Sequence, residues 1–567
     1  MMSSPNIERP WLKFYEEGVP SSLLYPELTL GNVLKETARK LPNHPALVFY
    51  GKKITWSELD VLANRFANAL IRLGVLKGDR VALMLPNIPQ MVIAFYGTLK
   101  TDAVAVPTNP LYHEHELEVQ LNDSGAQTLV AVDMFYPVIS RVLPMTRVKN
   151  LILCGIKDFL PFPLNLLYPL KAQMDGERVR VKRTPPIYDF MGLLKGAPSG
   201  VPGFQMSPDD TAVLQYTGGT TGVPKGAVLT HRNLVVNAVQ CRTWLLIHKD
   251  GEDRVMAVLP FFHVYGLTAA MNISVLIAAE MILLPKFHTT EALDAIAKYR
   301  PTFFPGIQAM YLAISSHPKI RRYDLTSIKA AISGAGPLMQ EVQEKFEQLT
   351  GARIVEGYGL SEASPITHAN PIFGRRKIGS IGLPWPDTEA RIVDIETGGR
   401  VLPVGEAGEL VVRGPQVMKG YWNKPEETAL ALRDGWLHTG DIARMDQEGY
   451  FYIAGRIKDM IKTTGENVYP REVEEVLYGH PKVKEAVIVG LPNEKFLGEK
   501  IKAYVVLKEG QQATAEELIG YCRERLSKFK VPKEIEFRDQ LPRNLVGKML
   551  RRVLRDEEMK KIEGKKV

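Results

Sequence analysis

Residues 216–226 read Tyr216-Thr217-Gly218-Gly219-Thr220-Thr221-Gly222-Val223-Pro224-Lys225-Gly226, with four glycines, three threonines and one lysine in eleven positions. Glycine lets backbone N–H groups approach an anion closely. Threonine hydroxyls add donors, and lysine adds a mobile positive charge. The segment therefore reads as a cradle for a polyphosphate. It is not a Walker loop: no Gly-Lys-Ser/Thr closes it, and Pro224 precedes the lysine.

Further polar segments follow. Glu356-Gly357-Tyr358-Gly359-Leu360-Ser361-Glu362 reads as a glycine-hinged turn. It carries an aromatic that can stack on a base, a hydroxyl for phosphate and a carboxylate for Mg²⁺. Trp436-Leu437-His438-Thr439-Gly440-Asp441 is expected to end a β segment with a carboxylate suited to a ribose diol. Gly455-Arg456-Ile457-Lys458-Asp459 comes soon after, and Leu541-Pro542-Arg543-Asn544-Leu545-Val546-Gly547-Lys548 presents a late lysine on a glycine turn. Each alone is also compatible with an ordinary polar turn. His113-Glu114-His115-Glu116 resembles a metal cluster in composition only. Histidines two apart on a helix diverge, and acids suit a helix start, so we read it as a helix N-terminus.

The elements that must position these residues are legible. Thr211–Tyr216 reads as a buried strand before the loop, Ala227-Val228-Leu229 as a strand after it, and His231 opens a helix. From about residue 30 to 340, helices such as 57–73 and Pro89–Thr98 alternate with strands such as Arg80–Leu85 and Ala103–Val106. That is βαβ grammar and predicts an α/β fold with parallel-rich sheets and flanking helices. Residues 302–305, 325–332 and 352–356 read as further strands. From about 378 to 455 short β segments punctuated by Gly and Pro predict a small antiparallel barrel or sheet. After Arg456 the chain reads as a compact α+β unit, with helices 470–479 and 514–527 and strands 484–490 and 501–507. The expected domains are 1–455, holding the β-rich part, and 456–567.

The 567 residues, 45% hydrophobic, exceed one ordinary domain. Three scattered cysteines, Cys154, Cys241 and Cys522, fit a reducing cytoplasm. The N-terminus shows no signal peptide pattern. No stretch reaches the roughly 18 apolar residues of a membrane span. Phe159–Leu170 is apolar, but Pro161, Pro163 and Pro169 exclude one continuous helix there. It reads either as a surface patch touching lipid or as a buried loop. The net charge is +8, and the chain from Arg456 onward holds 25 Lys/Arg against 19 Asp/Glu. A basic small unit suits an anionic partner. Nucleic acid is not expected, because no basic patch is interleaved with stacking aromatics.

Taken together and in this order, from Thr217 to Lys548, the motifs resemble the adenylate-forming superfamily of acyl- and aryl-CoA synthetases, luciferases and peptide-synthetase adenylation domains. The resemblance covers about Leu30 to Leu554. Gln215–Gly226, Gly357–Glu362, Asp434–Asp441 and Gly414–Trp422 look most like bacterial long-chain fatty acid–CoA ligases. Gly218 stands where much of the superfamily has serine, so Thr217, Thr220 and Thr221 must supply the hydroxyls.

The resemblance implies an AMP-forming ligase that joins a fatty acid of medium or long chain to coenzyme A through an acyl-adenylate, with ATP as co-substrate and Mg²⁺ as cofactor. Thr217, Gly218, Gly219, Thr220, Thr221, Gly222 and Lys225 would hold the β- and γ-phosphates, with Thr221 and Glu362 at Mg²⁺. Gly334, Ala335, Gly336, Glu356, Gly357, Tyr358, Gly359 and Ser361 would surround adenine and its phosphate. Asp441 and Arg456 would meet the ribose, and Ile453 would be a further contact to the nucleotide. Lys548, Thr221, Glu362 and His263 would be catalytic, and Lys458 would be a hinge for a mobile C-terminal domain. Lys462, Thr464, Gly465, Glu466 and Asn467 would face coenzyme A. His263, Val264, Phe304, Gly306, Ile307 and Tyr311 would line the acyl pocket, though simple core packing suits these apolar positions as well. A homodimer and peripheral membrane contact through 159–170 are further expectations. The alternatives are a ligase for an aromatic or short-chain acid, and a non-catalytic fatty-acid binding or uptake protein.

Overall fold

A computed structural model describes residues 9–176, 179–203, 206–217, 224–463, 466–492, 498–543 and 549–564. Gly218, Gly219, Thr220, Thr221, Gly222, Thr464, Gly465 and Lys548 lie outside the described residues. The chain divides into two compact units. One is Trp11–Glu389 with Arg413–Leu437; the other is built chiefly from Ala390–Val412 and the chain after Leu437.

Among the described residues, the first unit contains two large sheets. The seven-stranded sheet runs Ile187–Asp189, Asn150–Cys154, Thr128–Val132, Arg80–Met84, Val104–Pro107, Thr211–Thr217, Lys225–Thr230. All its pairings are parallel except the final hairpin. Its central strands are fully buried Val, Ala and Leu runs, as a sheet covered on both faces requires. The nine-stranded sheet has parallel pairings at its centre and antiparallel ones at both ends. The helix Trp56–Arg72 is started by a capping box in which Thr55 and Glu58 satisfy each other's backbone N–H groups. At the start of Glu114–Ser124 the Glu116 carboxylate accepts from His113 N–H at 3.0 Å, so the His-Glu-His-Glu run is a helix start.

In the nine-stranded sheet three neighbours, Phe303–Gly306, Ala330–Ser333 and Arg353–Gly359, run parallel, with Gly306 opposite Ser333 and Ser333 opposite Glu356. Their carboxyl ends form one edge, the side on which open α/β sheets bind ligands. Ile307, Gly334–Gly336 and Tyr358–Glu362 all follow from that edge.

The second unit carries its own core. The antiparallel strands Val483–Pro492 and Glu499–Leu507 pair, and Glu534–Phe537 adds in parallel. Val473, Leu477, Ile488, Ala503, Leu518 and Cys522 pack between this sheet and the helices Pro470–Tyr478 and Ala515–Arg523.

Three local expectations are corrected. Glu356–Gly359 is not a turn: it is the end of the strand Arg353–Gly359, and only Ser361–Ala363 turns, as a 3₁₀ helix. Pairing of Gly357 and Tyr358 with Ala369 and His368 keeps the segment extended. Asp441 does not end a β segment: the strand Trp436–Met445 runs through it, because its antiparallel pairing with Phe451–Arg456 goes on to Met445. Pro169 lies inside a helix, Leu164–Met174. The 159–170 segment is still broken at Pro161 and Pro163, but Pro169 removes only the one bond its N–H would give to the Asn165 carbonyl.

Candidate active site

The loop's two anchors are paired strands. Thr217 stands opposite Lys225 and Tyr216 opposite Gly226. Thr217 and Lys225 are thus held one strand spacing apart. Tyr216 donates its hydroxyl to Asp123 at 2.6 Å. Burial, followed by this bond, raises the phenol far above its ordinary value, so Tyr216 is a fixed strut. Gln215 donates to the Phe262 carbonyl at 3.1 Å, tying this strand to the turn that bears His263.

A segment distant in sequence buttresses the outgoing strand. Gly420 accepts from Val228 N–H at 2.9 Å, Lys419 donates to Val228 at 3.0 Å, and Trp422 donates to Gly226 at 2.8 Å. This seats Tyr421 against Ala227. Its hydroxyl donates to Glu362 Oε1 at 2.8 Å, and the Lys225 ammonium lies 5.5 Å from its ring centre. Met418 N–H also donates to the Glu362 carbonyl at 2.8 Å. One tyrosine therefore touches both the loop lysine and the carboxylate expected at Mg²⁺. A cation over a ring face and a charge-assisted hydrogen bond are both favourable.

The sheet edge is locked around a tyrosine. Tyr265 donates to the carbonyls of Ile332 at 2.7 Å and Gly306 at 3.2 Å, from inside the core. Its ring fills the space beside Gly334, where an added Cβ would lie 2.9 Å from Cε1. Ala335 then takes φ +63°, the left-handed region. Glu356 accepts from Leu338 N–H at 2.9 Å, and Gln308 accepts from Met339 N–H at 2.6 Å, so the 334–339 turn is held at its far end. Gly336 is exposed and Tyr358 half-buried. The Tyr358 ring meets His368 edge to face at 5.9 Å, and burial keeps His368 neutral with its pKa lowered to about 3. Gly359 is obligatory, since a Cβ there would lie 2.2 Å from the Pro365 carbonyl oxygen.

His263 Nδ1 accepts from Tyr265 N–H at 3.3 Å, capping the short helix Val264–Gly266. That bond puts the ring proton on Nε2. Val264 is buried. Phe304, Ile307 and Tyr311 are core residues, and the Tyr311 hydroxyl donates to the Phe304 and Ile332 carbonyls at 2.8 and 2.9 Å. Gly306 makes room for that hydroxyl, which a Cβ would approach to 2.7 Å. Beside them lies an apolar cavity of about 50 Å³. Phe304 lines it, together with Cys241, Trp244, Ala269, Ile332 and Trp385; Val264, Gly306, Ile307 and Tyr311 do not.

The second unit holds the remaining groups. Asp441 and Arg456 face each other across paired strands, with Nε 2.8 Å from Oδ1 and the carboxylate buried. Glu409 accepts from Gly440 N–H at 3.0 Å and lies 2.8 Å from His438 Nδ1, which fixes the strand before Asp441. Ile453 pairs with Ala443. Lys458 sits on the 3₁₀ turn Ile457–Asp459, directly after the strand that ends at Arg456. Lys462 pairs with Asn467 and Thr463 with Glu466, and Lys462, Glu466 and Asn467 are exposed. Arg543 bridges to Met549 on either side of the segment containing Lys548.

Residues 34–422 match the AMP-binding enzyme family, and residues 472–548 match the AMP-binding enzyme C-terminal domain. The chain belongs to the AMP-binding enzyme family. It is similar to a long-chain-fatty-acid–CoA ligase of Bacillus subtilis, 49% identical over 555 residues, which cover 97% of this chain and 98% of that one. It is similar to the ligase of the same name from Yersinia pestis, 39% identical over 564 residues, which cover 98% of this chain and 99% of that one. Among solved structures, an anthranilate CoA ligase in complex with anthranoyl-AMP superposes with a TM-score of 0.83 at 26% identity, over 94% of this chain and 98% of that one.

In this AMP-binding enzyme, sequence reasoning did not find Tyr421, Tyr265 or Glu409. Tyr421 lies in a segment singled out only for resemblance, 59 residues after Glu362. The one available signal was its place in a Gly-Tyr-Trp run with no packing period of its own. Glu362 is a hard oxygen donor next to a phosphate-type loop. Mg²⁺ is typically held by one or two carboxylates plus substrate phosphates, and the residues present fit that donor set.

Proposed function

We propose that this AMP-binding enzyme is an AMP-forming fatty acid–CoA ligase that acts on long-chain acids. One observation carries the reading. The strands Phe303–Gly306 and Ala330–Ser333, whose carboxyl ends lead into the adenine-type segment, also wall the apolar cavity. A nucleotide-binding edge and an apolar cavity on the same strands suit an acid with a polar head and an apolar tail. The B. subtilis and Y. pestis relatives are named for that substrate class.

In the first half-reaction a carboxylate oxygen bonds to the α-phosphorus of ATP and the bond to pyrophosphate breaks. In the second, the coenzyme A sulfur bonds to the acyl carbon, the acyl–oxygen bond breaks and AMP leaves. Thr217, Gly218, Gly219, Thr220, Thr221, Gly222 and Lys225 hold the departing pyrophosphate. Mg²⁺, when bound, offsets phosphate charge, with Glu362 and Thr221 as its protein ligands. Tyr421 orients Glu362. Tyr358 and Gly334–Gly336 receive adenine, Ser361 the phosphate, and Asp441 with Arg456 the ribose. His263, with Nε2 as donor, orients the acyl carboxylate. Lys548 stabilises charge on the carboxylate and α-phosphate during adenylation. The domain 456–567 turns about Lys458 to exchange Lys548 for Lys462, Thr464, Gly465, Glu466 and Asn467, which then face coenzyme A.

The test is acid-dependent pyrophosphate release, followed by coenzyme-A-dependent AMP release, across acids of graded length. Long acids should give the highest kcat/KM. Preference for aromatic or short acids would replace the substrate assignment. Acid binding without pyrophosphate release would favour the non-catalytic reading.

A further inference from the structure

The helix Leu164–Met174 is turned inside out relative to an ordinary surface helix. At 3.6 residues per turn, Leu166, Leu170, Met174, Leu167 and Leu164 share one arc of about 160°. All five are exposed, Met174 at 87%, and Phe162 just before them is exposed at 79%. The inward side carries Ala172, only 7% exposed. Folding normally buries leucine and leaves polar groups out, and monomers rarely display a large contiguous apolar patch without a use for it. This helix has 11 residues, and no helix among the described residues is long and apolar enough to cross a membrane.

Charge on the helix and in the chain that flanks it indicates what covers it. Lys157, Lys171, Arg180 and Lys182 are exposed, whereas Asp175 is the one exposed acid among the described residues of 156–183. Lys171 lies within the apolar arc itself, where a long aliphatic stem lets the ammonium reach a polar headgroup. Arg183 is not part of this set, because it is engaged by Asp133 and Asp189. Asp158 is likewise spent on Gly155 N–H at 2.7 Å.

We propose that Phe162–Met174 lies in the interface of an anionic lipid bilayer, with the leucines and Phe162 among the acyl chains and the four cations at the headgroups. The apolar arc supplies insertion and the cations supply preference for negative lipid. The seat is a surface anchor, not a span. Its purpose rests on the fatty-acid reading, since a long-chain acid partitions into bilayers; the contact itself does not.

The experiment is flotation of the full chain, without substrates, on vesicles of phosphatidylglycerol with phosphatidylcholine and on phosphatidylcholine alone. The wild type should float with the anionic vesicles. The triple variant L166Q/L167Q/L170Q should bind at least about tenfold more weakly, with unchanged AMP release from a water-soluble acid. The triple variant K171E/R180E/K182E should lose the preference for anionic vesicles. Leu167→Trp should add a blue-shifted emission component on vesicle addition, a readout that does not depend on removing the apolar face. A wild type that stays in solution, a glutamine variant that floats like the wild type, or a tryptophan that does not respond overturns the proposal. A fall in molar mass by light scattering in the glutamine variant also overturns it, because a second copy would then cover the face. Vesicle binding without any ligase activity would leave the anchor standing and remove the catalytic reading.

Discussion

Tyr421 donates its hydroxyl to Glu362 at 2.8 Å while its ring lies 5.5 Å beneath the Lys225 ammonium. The loop lysine and the acidic turn are therefore positioned by one side chain. The hydrogen bond can be removed without the ring contact, and both can be removed together.

Tyr421→Phe keeps the ring and deletes the hydrogen bond. A bond to a charged partner contributes about 1.5 kcal/mol or more, roughly tenfold in an equilibrium constant. The variant should need about tenfold more Mg²⁺ for half-maximal rate, with KM for ATP nearly unchanged at saturating Mg²⁺. Tyr421→Leu should raise KM for ATP as well. Initial rates over a matrix of Mg²⁺ and ATP concentrations measure both. An unchanged Mg²⁺ dependence in Tyr421→Phe would remove the positioning role.

Lys548→Ala should slow adenylation by about 10²-fold or more, the usual cost of losing a charge-stabilising donor. Thioester formation from supplied acyl-AMP should stay near the wild-type rate, because that step has already passed the α-phosphate chemistry. Single-turnover assays of the two half-reactions check this. Equal loss in both would sink the role.

Ala269→Phe should fill the cavity walled by Cys241, Trp244, Phe304, Ile332 and Trp385. Overpacking of this kind costs about 1–3 kcal/mol of stability. If the acyl tail enters here, kcat/KM for long acids should fall by more than about tenfold while short acids are retained. A uniform loss across chain lengths would place the tail elsewhere.

His231 and His368 are buried neutral, with burial lowering their pKa values from 6.5 to about 4 and about 3. In the unfolded chain both would titrate near 6.5. Between those values the unfolded state holds more protons, so stability falls as pH drops below about 6.5 and is fully present above it. The slope is about 1.4 kcal/mol per pH unit for each histidine. Chemical denaturation of the wild type and His368→Gln at pH 7 and pH 5 measures it. The variant should lose less stability over that interval; an identical loss would show that His368 does not contribute.

The segments that frame the candidate site were legible where they are local. The strand before Gly218, the strand after Lys225 and the glycine at 359 are dictated by runs of a few residues, and the order of motifs from Thr217 to Lys548 carries the family. Where local reading failed, pairing decided. Glu356–Gly359 has the composition of a turn, yet Ala369 and His368 hold it as a strand end. Pro169 is a breaker by type, yet one lost bond does not stop the helix around it.

The sequence by itself determined which chemical groups exist and which stretches carry them: a donor-rich loop between two strands, a carboxylate just after Gly359, an aspartate in the β-rich part and an arginine where the last unit begins. Only the tertiary structure decided their company. Tyr421 meets Lys225 and Glu362 because Lys419, Gly420 and Trp422 bond to the outgoing strand, a long-range pairing that no local pattern encodes. For Phe159–Leu170 the sequence left a surface patch and a buried loop both open, and only the tertiary structure turned the leucines of Leu164–Met174 outward, since composition does not say which side the rest of the chain leaves uncovered.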